Sequence, residues 1–466
     1  MKKNTYAVVY LVLIFMILLV PFAGMTFWAT NETAEKTELA AWPKLTDEGK
    51  WNENYLQEMG TYFEDHFAFR EKLVTANAVI RSKTVGSAVL DRVIVGENDW
   101  LYFKGTLPDY LGKDQLSDRQ LFMAVKNLKI MQDYTTTRGA QFLFVSPFNK
   151  NTVYDENMPD RYLKAAENNL DRLEPLLSEY GVNYLDLKAV FEEQDKPLYF
   201  ARDTHWNNEG ALLAYQSIMD YFSLSYETYL NVPSEERTDH IGDIDEMLYP
   251  TSPTPENNRY YSHHYATVGE FTDNMDAWIE TTRAEKTNRL LMYRDSFGES
   301  LLPFMADEFA QSYFSRYVPY NLLQIDQYQP THVVIERAER TLGNLLTDIP
   351  IMTAPIVAMV SGEAIETATE FSIKKDNDYY YIEGSIDPDH LKDETEIYLS
   401  VRDNAVGTTV SYQPFYAAKD EKDGSGYQLY LVDGQLPENH HIEVLTVSDG
   451  QTSVVYAADL IKSDIQ

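Results

Sequence analysis

Residues 288–298 read "NRLLMYRDSFG": a strand-like apolar run that stops at a sharp Asp-Ser-Phe-Gly corner. Similar units lie on either side of it. "AQFLFVSPFNK" (140–150) reads as a buried strand ending in a loop, and "VNYLDL" (182–187) as a short strand. "QPTHVVIERAERTLGNLL" (329–346) reads as a strand that runs into a helix. Between these units, "RQLFMAVKNLKIMQDYTTTRG" (119–139), "AAENNLDRLEPLLSEYG" (165–181) and "NEGALLAYQSIMDYFS" (208–223) carry apolar residues at helical spacing. Gly181 ends the second of these as a C-cap. Strands alternating with helices predict an α/β domain built on a parallel sheet with helices on both faces. Such sheets bind ligands at the carboxyl ends of their strands. That edge is where the serine corner falls.

A second motif, "FARDTHWNNEGA" (200–211), also follows a strand-like run. It sets Asp203 and His205 two residues apart, so on extended backbone their side chains share a face. A serine hydroxyl is a weak nucleophile at neutral pH unless a base removes its proton. That base is usually a histidine held by a carboxylate. Ser296 on its corner, His205 as the base and Asp203 as its orienting partner supply those three groups. The corner also leaves a backbone N–H that can face an oxyanion. A plainer reading of each motif remains open: the D-x-H-W stretch as a capped loop against a core aromatic, and the Asp-Ser pair as a helix N-cap.

The chain has no cysteine, which removes disulfides, thiolate nucleophiles and Cys-based zinc sites. The other histidines, His66, His240, His263–His264 and His440–His441, show no H-x-x-x-H spacing, and no D-x-D-x-D-G calcium loop is present. The expected site therefore holds neither metal nor cofactor.

At 466 residues the chain is long enough for two or three domains. Lys2 and Lys3 precede "YAVVYLVLIFMILLVPFAGMTFW" (6–28), which is free of charge and exceeds the roughly 20 residues a membrane-crossing helix needs. The two lysines place the N-terminus in the cytoplasm and the rest outside. A cleaved signal peptide is the competing reading, but its apolar region usually covers about 7–15 residues and ends at an A-x-A-like site. We therefore expect an uncleaved single-pass anchor at the cell membrane with an extracytoplasmic body. Beyond residue 28 the chain holds 37 basic against 73 acidic residues. That surplus argues against nucleic acid and gives no attraction to anionic lipid heads.

Residues 29–91 read as a polar linker followed by amphipathic helices. A hairpin, "RVIVGENDWLYF" (92–103), opens an α/β domain that runs to about residue 350. From about 360 to 466 the pattern changes to short runs rich in Tyr, Val and Ile, such as "DYYYIEGSID" and "TEIYLSVRD". These predict a C-terminal β-sandwich.

The motifs "LAAWPKLT", "YFEDHFAFREKL", "RVIVGENDWLYF", "PFNKNTVYDENMP", "ARDTHWNNEGA", "YRDSFG" and "PTHVVIERAERTL" follow one another in this order. In that order the chain resembles the alginate O-acetylation proteins of the AlgX/AlgJ type and their Gram-positive DHHW relatives. The resemblance covers roughly residues 38–348. It implies an SGNH-hydrolase-like α/β domain of permuted order, with the Asp/His block ahead of the Ser block. It implies Ser296 as acyl-accepting nucleophile, His205 as general base and acid, and Asp203 as orienting partner. It further implies a polysaccharide substrate, O-acetyl transfer, and a membrane-bound O-acyltransferase (MBOAT) partner that delivers the acyl group. The chain departs from ordinary SGNH hydrolases where Glu339 and Arg340 stand in place of G-x-N-D. The second oxyanion donor is therefore unassigned, with Asn149 and Arg340 as candidates. The C-terminal sandwich takes the position of a carbohydrate-binding module. Two rival functions stay open: a carbohydrate esterase, and a non-catalytic glycan-binding or assembly subunit.

Overall fold

The computed structural model describes residues 2–28, 39–47, 50–85, 92–418 and 424–465. Its centre is a seven-stranded sheet. The strands are β1 (Gln141–Val145), β2 (Tyr184–Leu185), β3 (Ala266–Val268), β4 (Trp278–Thr282), β5 (Arg289–Tyr293), β6 (Gln311–Ser315) and β7 (His332–Glu336). They lie in the order β2-β1-β7-β5-β6-β4-β3. β2, β1, β7, β5 and β6 are mutually parallel, and β4 and β3 extend the sheet antiparallel.

The unbroken apolar runs of β1, β5 and β7 follow from burial on both faces. Side chains alternate across a strand, so Phe142, Phe144, Leu291, Tyr293, Val333 and Ile335 join one core. Leu143, Val145, Leu290, Met292 and Val334 join the other. The first core is covered by α1 (Asp118–Thr137) and α2 (Asn169–Glu179), through Leu121, Leu128, Leu170 and Leu173 among others. The second is covered by α3 (Asn208–Tyr221) and α4 (Gly298–Ala306), through Ala211, Ile218, Leu301 and Met305. Ser117 starts α1 with a capping box closed by Gln120, and Gly181, at φ +64°, ends α2 in the left-handed region that glycine enters freely.

Counted from β5 as the first strand, the five parallel strands stand in the order 2-1-3-4-5. That is the flavodoxin-like order of doubly wound sheets, entered here at its fourth strand. Ligands bind where such an order reverses, between β5 and β7.

Some elements differ from the sequence reading. "VNYLDL" yields only the two-residue strand β2 at the sheet edge, and the stretch after β7 forms a 3-10 helix, Glu339–Leu345, in place of an α-helix. β6 and the antiparallel pair β3–β4 carry too much polar sequence to have stood out. The polar linker falls mostly outside the described residues. The amphipathic region forms helices Tyr55–His66 and Arg70–Val85, and the hairpin pairs Val93–Val95 with Leu101–Phe103. The N-terminal helix, Lys2–Trp28, contains a 23-residue stretch with mean hydropathy 2.7. By length and composition it could cross a membrane, a test that a signal sequence also passes.

The C-terminal region consists of strands in two sheets, one of six strands and one of four. Phe371 of the four-stranded sheet stacks on Tyr456 of the six-stranded one, with ring centroids 4.7 Å apart. Both sheets share the first core with the α/β domain. Arg119 of α1, buried, donates to the carbonyls of Thr395 (2.5 Å), Asp393 (3.1 Å) and Gly424 (3.1 Å). Asn127 bonds Tyr416 through both its main-chain carbonyl (2.8 Å) and its N–H (2.9 Å). The sheets are thus bolted onto α1, not tethered beside it.

Candidate active site

The serine corner is built by Asp295. One carboxylate oxygen accepts the Phe297 N–H (2.8 Å), and the other accepts the Ala338 N–H just beyond β7 (2.8 Å). Its own N–H donates to Glu336 at the end of β7 (2.9 Å). The end of β5 is thereby tied to the end of β7 at the reversal point. Burial, then repulsion from Asp295, pushes Glu336 well above the usual carboxylate range. Burial works to raise Asp295 too, but the charge of Arg340 and the hydrogen bonds it accepts hold it low. The Ser296 N–H has no hydrogen-bond partner among the described residues.

The Asp203–His205 segment reaches this corner on a closed loop. Tyr199 and Trp206 pair as an antiparallel bridge, and Asn207 caps α3 immediately after, accepting the N–H groups of Glu209 and Gly210 (3.0 Å each). Trp206 is fully buried. Its indole N–H donates to the Phe297 carbonyl (3.2 Å), and its ring meets the Phe297 ring edge-on at 5.1 Å. This tryptophan locks the loop to the serine corner.

The three groups meet. Ser296 Oγ lies 2.8 Å from His205 Nε2, and His205 Nδ1 lies 2.7 Å from Asp203 Oδ1. The carboxylate on Nδ1 fixes the tautomer, so Nδ1–H donates to Asp203 and Nε2 can accept from the serine hydroxyl. Burial pulls His205 down, but the Asp203 hydrogen bond and the charges of Asp203 and Asp243 outweigh it, leaving its pKa above the ordinary 6.5. Burial also works to raise Asp203, yet hydrogen bonds from His205 and His240 hold it well below its usual range.

A second segment, from the end of the strand Ser234–His240 to the start of the helix Asp243–Leu248, braces Asp203, and the sequence reading missed it. His240 Nε2 donates to Asp203 Oδ2 (3.0 Å) while its ring stacks on Phe200, 3.8 Å between centroids. The Asp243 N–H reaches the same oxygen (3.1 Å). Asp243 in turn accepts both the N–H and the hydroxyl of Thr204 (2.8 Å each). A Cβ on Gly242 would sit 2.3 Å from the Arg202 carbonyl, so only glycine permits this approach. Lys150 is the other missed residue. It is buried and donates to the carbonyls of Phe200 (3.1 Å), Ala201 (3.0 Å) and Asp203 (2.6 Å). Burial pushes its amine down to about 8, against the pull of Asp203, Asp243 and Glu256. A histidine two residues ahead of a glycine, and a lysine between two asparagines just after a buried strand, were the available sequence signals.

The two weaker candidates do not join the site. Asn149 follows β1, which β7 separates from β5, so it starts two strand spacings, about 10 Å, from the serine corner. It is buried with its N–H on Glu339 (2.6 Å) and its side-chain amide on Asp109 (3.4 Å). Arg340 stands over the Phe297 ring at 5.3 Å, where its charge is felt by His205 and Asp295. Neither lines the cavity at Ser296. Asp203, His205 and Asp243 do bring three potential metal-ligand atoms within 4.8 Å of one another. These carboxylates already accept hydrogen bonds from His205, His240 and Thr204.

A serine, a base and an oriented carboxylate on a doubly wound sheet define an α/β domain equipped for acyl chemistry. In sequence, residues 93–267 match the family model described as "SGNH hydrolase-like domain, acetyltransferase AlgX". The chain thus carries the AlgX/AlgJ-type resemblance its motifs implied. The match includes Asp203 and His205 and stops short of Ser296. No curated protein matches the chain. Among solved structures, Bacillus cereus PatB1 is similar at 16% identity over 54% of this chain and 96% of its own, with a TM-score of 0.44. The O-acetyltransferase domain of Pseudomonas putida AlgJ is 19% identical over 54% and 92%, TM-score 0.38. A DHHW family protein from Eubacterium siraeum is 16% identical over 47% and 85%, TM-score 0.39.

Proposed function

We propose that this protein is a membrane-anchored extracytoplasmic O-acyltransferase that moves acetyl groups onto a polysaccharide through Ser296, His205 and Asp203. The observation that carries this reading is the continuous chain Ser296 Oγ–His205 Nε2, His205 Nδ1–Asp203 at 2.8 and 2.7 Å. His205 takes the Ser296 proton as the hydroxyl oxygen attacks the donor's carbonyl. Asp203 stabilises the imidazolium that forms. The unpaired Ser296 N–H is one oxyanion donor. His205 then passes its proton to the leaving group, and the acyl group stays on Ser296. In the second half a sugar hydroxyl gives its proton to His205 and attacks the ester, restoring Ser296.

The apolar helix of residues 6–28 anchors the chain, and a partner of the MBOAT type supplies the acyl group from the membrane side. The C-terminal sheets, read as a β-sandwich, take the place of a glycan-binding module. The test uses the full chain in detergent with 4-nitrophenyl acetate as donor. Wild type should release nitrophenol at a rate that Ser296→Ala and His205→Ala abolish, with circular dichroism unchanged. Acetyl found on water alone, and never on a glycan, would instead make the protein an esterase. Full cellular acetylation by Ser296→Ala would favour a glycan-binding or assembly subunit.

A further inference from the structure

The cavity that opens on Ser296 and His205 has a volume of about 340 Å³, within the usual range of small-ligand sites, about 300–1,000 Å³. Asn258, Tyr260 and Tyr261, from the strand Glu256–Tyr261, form one wall, with His263 just beyond. Glu299, Asn274 and Ser300 line the cavity beside the serine helix. None of the described residues lining it is Lys or Arg.

His263 is held as Asp203 holds His205. Its Nδ1 donates to Asp307 Oδ2 (3.0 Å), and Tyr229 donates to the same oxygen (3.0 Å). The His264 N–H engages the other Asp307 oxygen (2.7 Å). With Nδ1 on a carboxylate, Nε2 has no hydrogen-bond partner among the described residues. The Glu299 carboxylate likewise takes no ion pair among them. With the Asn258 amide, the Tyr261 hydroxyl and the Glu299 carboxylate, the cavity offers sugar hydroxyls both donors and acceptors but no cation. A uronate carboxylate brings only acceptors and a negative charge.

Arg340, over the Phe297 ring, does not line the cavity, and the arginines beside it are engaged. Arg237 pairs with Asp239 at 3.2 Å and lies on the Tyr260 ring, and Arg259 pairs with Glu236 and, at 3.6 Å, with Glu209. Arg294, buried below the corner, spends its guanidinium on the carbonyls of Asn274 (2.5 Å), Asp276 (3.3 Å) and Asp295 (3.3 Å). The chain as a whole carries a formal charge of −34, which adds a long-range barrier to a polyanion.

We propose that this wall is the acceptor-sugar subsite and that it selects an uncharged polysaccharide over a polyuronate. The proposal rests on the reading of Ser296 as the acyl carrier. In the transfer step the sugar O–H gives its proton to His205, its oxygen bonds to the acyl carbon, and the Ser296 Oγ–acyl bond breaks. His205 returns the proton to Ser296 Oγ.

The experiment incubates the full chain in detergent with 4-nitrophenyl acetate and either maltopentaose or a pentamer of galacturonate, reading acetylated sugar by mass spectrometry. The neutral acceptor should be acetylated about tenfold or more faster at low salt. Salt should narrow the gap, since it screens exposed charges. Glu299→Lys should narrow it too, with maltopentaose in the same variant reporting that the site still works. Equal or faster transfer to the galacturonate pentamer, with nitrophenol release still dependent on Ser296, overturns the proposal and leaves the acyl-carrier reading standing. Ser296-dependent release with no acetyl on either sugar also overturns it. Release no faster than in Ser296→Ala removes the acyl-carrier reading and this proposal with it.

Discussion

Asp203→Asn tests the site most sharply, because the change is nearly isosteric and the carboxylate is so fully used. Its two oxygens accept four hydrogen bonds: His205 Nδ1 at 2.7 Å, the His205 N–H at 2.8 Å, His240 Nε2 at 3.0 Å and the Asp243 N–H at 3.1 Å. An amide keeps one oxygen and turns the other position into a donor. If the oxygen stays on His205, the new NH₂ faces the His240 ring and the Asp243 N–H. If it turns toward them, His205 loses its orienting acceptor and its tautomer flips. Either way the imidazolium of the transition state loses a neighbouring charge and a charge-assisted hydrogen bond, worth about 1.5–3 kcal/mol. The wrong tautomer adds to that loss. A total of about 4–5.5 kcal/mol corresponds to a 10³–10⁴-fold fall in kcat, matching the roughly 10⁴-fold cost of the same change in a well-studied triad. Stopped-flow release of nitrophenol from 4-nitrophenyl acetate measures it, with the protein in detergent at neutral pH. A variant within tenfold of wild type, with an unchanged pH profile, would refute the reasoning.

Two further predictions follow from the same atoms. His205 acts as a base only when neutral, and its pKa is raised above 6.5 by the Asp203 and Asp243 carboxylates against the pull of burial. The rate should therefore rise with pH through an apparent pKa above 6.5, and Asp203→Asn should move that limb downward; a wild-type limb below 6.5 would contradict the geometry. Lys150→Met removes three hydrogen bonds from the carbonyls of Phe200, Ala201 and Asp203. It should lower the melting transition by several degrees and cut the rate at least tenfold, whereas loss of stability with full rate would show that Lys150 does not position the loop.

The sheet was legible because its strands are buried on both faces, so β1, β5 and β7 announce themselves as apolar runs without any partner in view. The strands the sequence hid are those that cannot do so: β6 begins "QS", and β4 reads "WIETT". The site was legible for a different reason. Ser296, His205 and Asp203 are residue types whose chemistry requires company; Ser296 follows β5, while Asp203 and His205 follow an apolar run that forms no strand of the sheet, only the Tyr199–Trp206 bridge. What stayed hidden is everything that makes Asp203 a fixed charge rather than a mobile one. His240, Gly242 and Asp243 sit about forty residues downstream, and Lys150 about fifty upstream. None of them belongs to a recognisable chemical motif, and their role exists only once the chain has closed on itself. Asn149 lies away from the serine corner on the same ground. It follows β1, but β7 stands between β1 and β5, and order in the chain is not order in the sheet; Arg340, just past β7, stands over the Phe297 ring. A triad is thus half encoded in its own three letters. The other half lies in the segments that pin its carboxylate with the His240 ring and the Asp243 N–H.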